Sequence, residues 1–337
     1  MKTSRLPAIS EPTASRPTLR DLARSLNVSH TTVSRVLSGQ GADYISEQTR
    51  SRVIEAARQM RYRPNRAART LATGKTGLIS LWMGDLFRPY YVRTMQHVTR
   101  EIEGTGYETV VYHIRSASVS PASLFTAADG LLVHDWGEVV ESYLEYEPYA
   151  LPLVSMGVQY TERTDFVGID VYPGAVAAMQ HLVATGRKRI VFVSHHARDG
   201  ENEVRYRAYC EVMTQAGLPS EVVWVDLTRT ACRETVRDYL AGNAGADALF
   251  CLSDDIAIAA YRAAHDCGQR VPEDIALVGC DDIEETQYLE TTLSTISLPI
   301  PEMCRIATQF LQNRIADPTI ARQQIILSPT FLKRDSS

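Results

Sequence analysis

The chain alternates short β-rich runs with helical stretches over most of its length, and this alternation limits the folds open to it. Apolar runs such as "DGLLVH", "RIVFVSHH" and "DALFCLSD" are separated by stretches of helical period such as "DIAIAAYRAAHDCG". Parallel strands need crossover connections of this kind, so the pattern predicts parallel sheets with helices on both faces. Eight such runs between residues 77 and 337 indicate two sheets and therefore two lobes.

Charge is distributed unevenly along the chain. Residues 1–75 contain 14 Lys and Arg against 5 Asp and Glu, whereas the remainder contains 21 against 35. A basic head on an acidic body indicates that only the head binds a polyanion such as nucleic acid. Residues 1–17 are rich in Pro, Ser and Thr, and we expect a disordered tail there. We expect no signal peptide and no membrane span.

The head contains two short helices joined by a tight turn. Thr18 can cap the first helix, and Ser29 can cap a second helix over about residues 30–38. The second helix, "HTTVSRVLS", has short polar side chains and an arginine on its outer face. Such a pair is a helix-turn-helix, whose second helix enters the major groove of DNA. A third helix, capped by Ser46, completes a predicted three-helix domain over residues 18–63.

The polar face of the second helix offers the side chains that DNA recognition uses. Arg35 can donate two hydrogen bonds to the O6 and N7 atoms of guanine. His30 and Thr31 can contact base edges, because recognition helices lead with their N-terminal residues. Hydroxyl side chains suited to phosphate contacts accompany them: Ser29, Thr32 and Ser34. The alternative is a solvated amphipathic helix.

Residues 64–76 form a predicted hinge. Pro64 ends the third helix, and the basic stretch over residues 66–72 is long enough for two helical turns, which are marginal alone. We expect this segment to order only on a partner. Leu71 can wedge between base pairs in the minor groove or pack against the neighbouring domain, and the residues alone leave both possibilities open.

Acidic and aromatic side chains gather where predicted strands end. Asp254 follows the run "ALFCLS", and Asp281 and Asp282 follow "IALVGC". Ligands of α/β folds bind outside such strand ends, where a carboxylate can accept hydrogen bonds from sugar hydroxyls. For Asp254 a helix N-cap is the alternative role. Four aromatic residues that could stack on a sugar ring lie near the first and third strands: Trp82, Tyr90, Tyr91 and Trp136.

Catalytic and cofactor motifs do not appear in the sequence. It has no P-loop and no GxSxG, and its six cysteines lack CxxC and metal-ligand spacing. We therefore expect no cofactor, no metal and no enzymatic activity. Two alternatives stay open at this point. Paired acids could hold Mg²⁺ for phosphoryl chemistry, or a regulator's body could respond to another protein.

The ordered motifs resemble the LacI/GalR family of bacterial transcription regulators. They begin with "TLRDLARSLNVSHTTVSRVLSG" and "ISEQTRSRVIEAARQMRYRPNRAARTLATGKTG", and continue with "ALFCLSDDIAIAAYRAAHDCGQRVPEDIALVGCDDI" and "LSTISLPIPEMCRIATQFL". The resemblance covers about residues 18–334. It implies a two-lobed, periplasmic-binding-protein-like α/β sensor core over residues 77–337, behind the helix-turn-helix domain and a hinge helix. Its N-lobe would span about 77–168 and 300–327, and its C-lobe about 169–299 and 328–337.

The resemblance also implies what such a protein does. It predicts a cytoplasmic homodimer, or a dimer of dimers, on double-stranded operator DNA. The expected role is repression, gated by a small-molecule effector such as a mono- or oligosaccharide. The family's half-site-reading positions fall on His30 and Thr31, and its hinge residues on Asn65, Ala68 and Leu71, which favours the minor groove for Leu71.

The resemblance extends to the predicted effector site. Arg205 fits the family's effector-binding arginine, with surface ion pairing as the alternative, and Ser253 stands where the family often has asparagine. The predicted effector-binding residues are Asp85, Tyr90, Trp136, Arg205, Ser253, Asp254 and Asp281. The predicted DNA-binding residues are Thr18, Ser29, His30, Thr31, Thr32, Ser34, Arg35, Asn65, Ala68 and Leu71.

Overall fold

The chain divides into two compact units, Met1–Thr76 and Gly77–Ser337. The fold is that of a computed structural model, which describes residues 17–38, 44–64, 66–115, 127–146, 151–195, 203–242 and 245–337. The predicted disordered tail lies almost wholly outside the described residues, and so does Asn65. Each unit has a hydrophobic core of its own.

The first unit packs three helices around a small core. They are α1 (Leu19–Leu26), α2 (His30–Ser38) and α3 (Glu47–Gln59). Leu22, Val33 and Val53, one from each helix, are fully buried against each other. The predicted caps are confirmed: the hydroxyls of Thr18, Ser29 and Ser46 accept hydrogen bonds from the backbone N–H three residues later. These bonds satisfy donors that a helix start otherwise leaves unpaired.

A fourth helix, α4 (Arg66–Thr73), occupies most of the predicted hinge. The predicted helical turns of this segment are present, and the expectation that it orders only on a partner stays a prediction. Alanine, arginine and leucine make up most of "RAARTLAT", and these are strong helix formers. Gly74, with φ of +70°, follows the last helical residue, where a left-handed conformation suits glycine.

The second unit contains two six-stranded sheets. The first has the order β11-β5-β4-β3-β1-β2 and is parallel throughout. Its strands are β1 (Leu78–Met83), β2 (Glu108–His113), β3 (Gly130–His134), β4 (Leu153–Gly157), β5 (Asp165–Ile169) and β11 (Gln324–Leu327). Its helices are α5 (Pro89–Ile102), α6 (Gly137–Tyr146) and α11 (Ile300–Ala316). We call this lobe the N-lobe.

The second sheet has the order β12-β10-β9-β8-β6-β7 and belongs to what we call the C-lobe. Its strands are β6 (Ile190–His195), β7 (Glu221–Val225), β8 (Ala248–Cys251), β9 (Ala276–Asp281), β10 (Ser294–Ser297) and β12 (Thr330–Leu332). Its helices are α7 (Tyr172–Ala184), α8 (Val204–Gln215), α9 (Arg229–Gly242) and α10 (Asp254–Asp266), with a short 3-10 helix at Glu284–Gln287. β12 runs antiparallel to β10, unlike every other pair in the sheet.

The prediction of two parallel sheets with helices between their strands is confirmed, but four strands were missed. The eight predicted runs all contain strands, and the described residues add β5, β10, β11 and β12. Three of these have only three or four residues, whereas β5 is a fully buried strand of five residues inside its sheet. β10 reads "STIS" and β11 reads "QIIL", with three of its four residues exposed. Apolar runs mark central strands, so the method overlooks short strands and those at a sheet edge.

The chain passes between the lobes three times, after β5, after β10 and after β11. These crossings bring the carboxyl ends of the parallel strands of both sheets toward one cleft. An ion-pair network fixes the N-lobe side of two of the crossings. The carboxylate of Asp165, at the start of β5, accepts two hydrogen bonds from Arg314 at 2.8 and 2.9 Å. It also accepts bonds from the backbone and side chain of Gln323, which precedes β11.

The Asp165–Arg314 pair is expected to contribute strongly to stability. Asp165→Asn leaves the largely buried Arg314 without its carboxylate, which should cost about 2–4 kcal/mol of unfolding free energy at neutral pH. Burial raises the pKa of Asp165, but its hydrogen bonds from Arg314 and Gln323 outweigh burial, so the pKa lies below its usual value. Stability from such a group is present above about pH 4 and is lost as the pH falls through the lowered pKa.

Urea unfolding of the unmodified chain and of Asp165→Asn across pH measures this difference in unfolding free energy. Asp274→Asn is the control, because Asp274 makes a similar two-pronged pair with Arg270 on the exposed surface. We expect little effect there. Equal losses for the two variants, or a loss for Asp165→Asn that persists unchanged in acid, would contradict the assigned role.

Candidate functional site

The cleft between the lobes is lined by residues that follow strand ends. Its volume is about 570 Å³ including its open mouth, within the range of small-molecule sites. The N-lobe supplies Arg88, Tyr90, Tyr91, Asp135 and Val158, and the C-lobe supplies His195, Arg205, Leu252, Ser253, Asp255 and Asp281. Parallel sheets place ligand sites at this position, outside the carboxyl ends of their strands.

The N-lobe wall is built around a buried hydrogen bond between Tyr90 and His134. The Tyr90 hydroxyl lies 3.0 Å from His134 Nε2, and Tyr91 packs edge-to-face on Tyr90 with ring centroids 5.1 Å apart. Burial raises the pKa of Tyr90 well above its usual value, and the nearby Asp135 adds to this. Burial also lowers the pKa of His134. The wall therefore presents a protonated phenol above a neutral imidazole.

Asp135 is held rigidly at the end of β3. Its Oδ1 atom accepts hydrogen bonds from the backbone N–H groups of Val158 and Gln159, at 2.7 and 3.0 Å. Gly157, at the end of β4, has φ of +112°, and a Cβ there would lie 2.2 Å from that oxygen. Glycine is thus required for the close approach. Asp135 itself adopts a φ of +58°, which is uncommon for a residue with a side chain.

On the C-lobe wall, Arg205 is buried and already paired. Its Nε donates to Glu203 Oε1 at 2.7 Å, its Nη2 lies 3.3 Å from Glu203 Oε2, and its Nη1 donates to the Leu252 carbonyl at 2.8 Å. Burial disfavours the charge of Arg205, but Glu203 outweighs this and the pKa of Arg205 is raised. Arg205 reaches the cleft as part of a neutral pair, not as the surface ion pair considered from sequence.

Asp281 and Asp254 form a buried acidic pair at the ends of β9 and β8. Asp254 is fully buried: its Oδ1 accepts from the Thr295 hydroxyl at 2.7 Å and its Oδ2 from the Ile283 N–H at 3.0 Å. Burial raises the pKa of Asp254 to about 7. Burial and the charge of Asp254 hold the pKa of Asp281 well above its usual value. Asp281, with φ of +122°, faces the cleft.

Two arginines of the N-lobe bond to backbone carbonyls of the C-lobe. Arg93 Nη1, on α5, donates to the Asp282 carbonyl at 2.7 Å and lies 3.4 Å from that of Asp281. Arg88 Nη2 donates to the Leu227 carbonyl at 3.0 Å. Because these bonds cross the cleft beside its lining residues, any change in the cleft that moves one wall must stretch or replace them.

The seven residues predicted for the effector site divide into two groups. Tyr90, Arg205, Ser253 and Asp281 line the cleft. Three others do not line it: Asp85, Trp136 and Asp254. Asp85 accepts from the Phe87 N–H at 2.8 Å and pairs with Arg88. Trp136 packs on the N-lobe cluster that includes Trp82, and Asp254 lies beneath the lining with both oxygens bonded.

Sequence reasoning did not select five of the lining residues: Arg88, Asp135, Val158, His195 and Leu252. Asp135 follows the run "GLLVH" as directly as Asp254 follows "ALFCLS", so the rule that selected acids at strand ends could have found it. Val158 carried no signal, because an apolar residue after a strand resembles any core residue.

In the first unit, the predicted DNA-binding residues lie mainly on the surface. His30, Thr31, Ser34 and Arg35 are exposed on α2, and Thr32 is half-buried with its hydroxyl 2.8 Å from that of Ser29. Thr18 is exposed at the start of α1, and Ala68 is exposed on α4. Leu71, also on α4, is 91% exposed, which is unusual for leucine in a helix.

The described residues offer no obvious metal centre, since no group of three or more His, Cys, Asp or Glu side chains is placed to hold an ion. All six cysteines are free thiols. Within the part of the chain that the structure describes, no helix has the length and apolar character needed to cross a bilayer.

Two known protein families match the chain. The family of bacterial regulatory proteins named lacI matches residues 18–65, and the periplasmic binding protein-like domain matches residues 179–337. The HTH-type transcriptional regulator CelR of Thermobifida fusca is 30% identical over 95% of this chain and 98% of its own length. The ribose operon repressor of Haemophilus influenzae is 27% identical, also over 95% of this chain and 98% of its own length.

Solved structures give the same picture. A complex of the transcriptional regulator CelR with cellobiose matches with a TM-score of 0.67 and 27% identity, covering 96% of this chain and all of that one. A lac repressor dimer bound to operator and the anti-inducer ONPF matches with a TM-score of 0.79, covering 96% and 99%. At 21% identity the second likeness supports the fold alone.

The buried carboxyl of Asp254 is expected to make stability pH-dependent. Its raised pKa means that the folded state holds a proton which the unfolded state releases, so its contribution falls as pH rises from about 4 toward 7. In Asp254→Asn, the amide oxygen can accept from Ile283 and the amide nitrogen can donate to Thr295. We expect this variant to gain stability relative to the unmodified chain over that range.

Urea midpoints across pH for the two proteins test this expectation. Asp238→Asn, an exposed change on α9, serves as the control and should leave the pH profile unchanged. A constant difference between Asp254→Asn and the unmodified chain from pH 4 to 7 would show that Asp254 is ionised throughout.

Proposed function

Because the chain belongs to the LacI family of bacterial transcription regulators, we propose that it is an operator-binding repressor whose DNA affinity is gated by a sugar in the cleft. Residues 18–63 bind DNA in this proposal, residues 64–76 form the hinge, and residues 77–337 form the sensor and dimerisation core.

One observation carries this proposal: a helix-turn-helix unit and a two-lobed cleft unit occur in one chain that aligns with CelR over nearly its whole length. Either unit alone would support a weaker conclusion, because folds host many functions. Together they supply a reader of DNA and a receptor for a small molecule.

We assign half-site reading to α2. His30 and Thr31 stand exposed at its first two positions, and Arg35 stands exposed one turn further along. Arg35 would contact guanine in the major groove, and the hydroxyls of Ser29, Thr32 and Ser34 would contact phosphates. A homodimer presents two such helices, so the operator would be pseudo-palindromic.

Leu71 is proposed as a minor-groove wedge. A leucine with 91% of its surface in water gains nothing from exposure, whereas insertion between base pairs would bury it and kink the duplex. Ala68 lies three residues earlier on the same face of α4, and its small side chain allows close approach to a backbone or to the partner helix. Asn65 precedes this helix.

The cleft is proposed to bind a mono- or oligosaccharide. CelR is described in complex with cellobiose, and other relatives are ribose operon repressors. The lining here suits such a ligand, because the Tyr91 ring offers an apolar face while Asp135, Ser253 and Asp281 offer hydroxyl partners.

Gating would act through the bonds that cross the cleft. A sugar that bonds to both walls changes how the lobes meet, and Arg88 and Arg93 must adjust with them. The N-lobe begins directly after the hinge, so its movement in each protomer alters the spacing of the two α4 helices. Linkage requires that DNA change sugar affinity by the same factor, whether the sugar acts as inducer or corepressor.

We propose that the cleft binds without catalysing. Three of the four paired acids that could have held Mg²⁺ are engaged elsewhere: Asp254 bonds to Thr295 and Ile283, Asp255 pairs with Arg229, and Asp282 pairs with Arg334. The fourth, Asp281, faces the cleft as a single acid. A protein that regulates bacterial transcription must reach the chromosome, so we place it in the cytoplasm.

Leu71→Ala should weaken operator binding more than binding to unrelated DNA, because only a correctly kinked site accommodates the wedge. Competition binding against random duplex at fixed salt measures both affinities. Ile54→Ala, which truncates a half-exposed apolar residue on α3, is the control and should change neither. Equal losses on both DNAs for Leu71→Ala would argue against insertion.

Asp281→Asn tests the gate itself. It should leave operator affinity without sugar intact but weaken sugar binding at least about tenfold and blunt the sugar's effect on the operator. Calorimetry with ribose, cellobiose and other sugars identifies a binding sugar first, and operator titration with and without it follows. Asp226→Asn, at the exposed end of β7, is the matched control. If every sugar that binds leaves operator affinity unchanged, the chain is no sugar-gated repressor.

A further inference from the structure

The arginines that the described residues place at the cleft already have partners inside the protein. The Glu203 carboxylate accepts from Nε and Nη2 along one edge of the Arg205 guanidinium, and the Leu252 carbonyl accepts from Nη1. Both side chains of this pair are more than nine-tenths buried, so neither can swing into solvent. A guanidinium in this state has its charge neutralised and its fork occupied.

The second arginine of the lining, Arg88, also has partners, although its ion pair is more exposed to solvent than that of Arg205. Arg88 pairs with Asp85 at 3.2 Å and donates to the Leu227 carbonyl across the cleft. Nearby, Arg93 uses its guanidinium on the carbonyls of Asp281 and Asp282. Each of these three arginines therefore has partners inside the protein before any ligand arrives.

The acidic residues of the cleft lining have fewer oppositely charged partners than the arginines have. Asp255 pairs with Arg229, but within the described residues Asp135 and Asp281 form no ion pair with any lysine or arginine. Asp135 accepts only uncharged backbone N–H groups at Oδ1, and its other oxygen lies 3.7 Å from the neutral His134. Burial, and then the charge of Asp254, raise the pKa of Asp281 well above its usual value, and the charge of the nearby Arg205 does not offset them.

Among the described residues, an anion that entered this cleft would meet the acidic side chains of Asp135 and Asp281 and no lysine or arginine that lacks a partner. Like charges in a partly desolvated site repel strongly, since little water screens them. A hydroxyl group meets no such penalty, because it can donate to a carboxylate without bringing a charge. The wall oxygens of Asp135 and Asp281 are thus acceptors suited to hydroxyls and amines and unsuited to carboxylates or phosphates.

We propose that the effector is a polyhydroxy compound without negative charge, and that Glu203 sets this selectivity by occupying Arg205. This rests on the proposed function, because it assumes that the cleft is the effector site. It divides the sugars into neutral and amino sugars, which the cleft accepts, and uronates and sugar phosphates, which it rejects.

Calorimetry on the unmodified full-length chain tests the selectivity with compounds that share one skeleton. The first two sets are glucose, glucosamine and glucuronate, and galactose, galactosamine and galacturonate. The third set is ribose and ribose 5-phosphate. We expect that, in any set that binds, the acidic member is at least about tenfold weaker than the neutral one. An acidic member that binds as well as its neutral counterpart overturns the proposal.

Glu203→Gln tests the residue that sets the selectivity. Freeing the guanidinium of Arg205 should strengthen binding of the acidic member at least about tenfold and change the neutral member far less. Glu234→Gln removes the same charge from an exposed position on α9 and should change neither. Unchanged binding of acids by a Glu203→Gln protein that still binds operator overturns the role of Glu203. If that variant does not fold, the series on the unmodified chain decides alone.

The outcomes also separate this inference from the function on which it rests. An acidic sugar that binds tightly and shifts operator affinity overturns the charge selectivity and leaves the gated repressor standing. If no compound in the panel binds the unmodified chain, the charge selectivity and the sugar-binding cleft both fail.

Discussion

The carboxyl ends of the parallel strands of two sheets meet at one cleft, and most of the chemistry of the second unit follows from that meeting. Parallel strands are joined by helices, so polar residues that end a strand all emerge on one side. Three crossings of the chain then set the two polar edges against each other. The bonds of Asp165 to Arg314 and Gln323 hold together the starts of β5 and β11 in the N-lobe sheet.

Bringing so many charged groups together removes them from water. Partners inside the protein replace the hydrogen bonds to water that these groups lose. Arg205 has Glu203, Asp254 has Thr295 and Ile283, and Asp135 has two backbone N–H groups. The backbone departs from favourable conformations at the same places, since Asp135 and Asp281 both have positive φ. Such conformations persist only where surrounding bonds enforce them, and they occur often at ligand sites.

The fold class and the functional class could be predicted from sequence, because both depend on patterns that the chain repeats. Apolar runs between helical stretches predicted the two sheets, and capping residues such as Thr18 predicted where helices begin.

The contacts of individual site residues could not be predicted in this way, because they depend on residues that are close only in the folded structure. Arg205 was expected to meet a ligand, yet two residues away Glu203 occupies it. Trp136 lies near a strand end as expected, but its ring packs against the N-lobe cluster that includes Trp82. Helix α4 lies where two helical turns were predicted, and most of its residues are strong helix formers.

Coupling between the cleft and the DNA-binding helices is the central claim, and thermodynamic reciprocity tests it most directly. The measurement is the affinity of one cleft-binding sugar for the full-length chain, free and saturated with operator, beside operator affinity with and without that sugar. The account predicts that the two ratios are equal and differ from one. A sugar that binds equally well to the free and the operator-bound protein would contradict it.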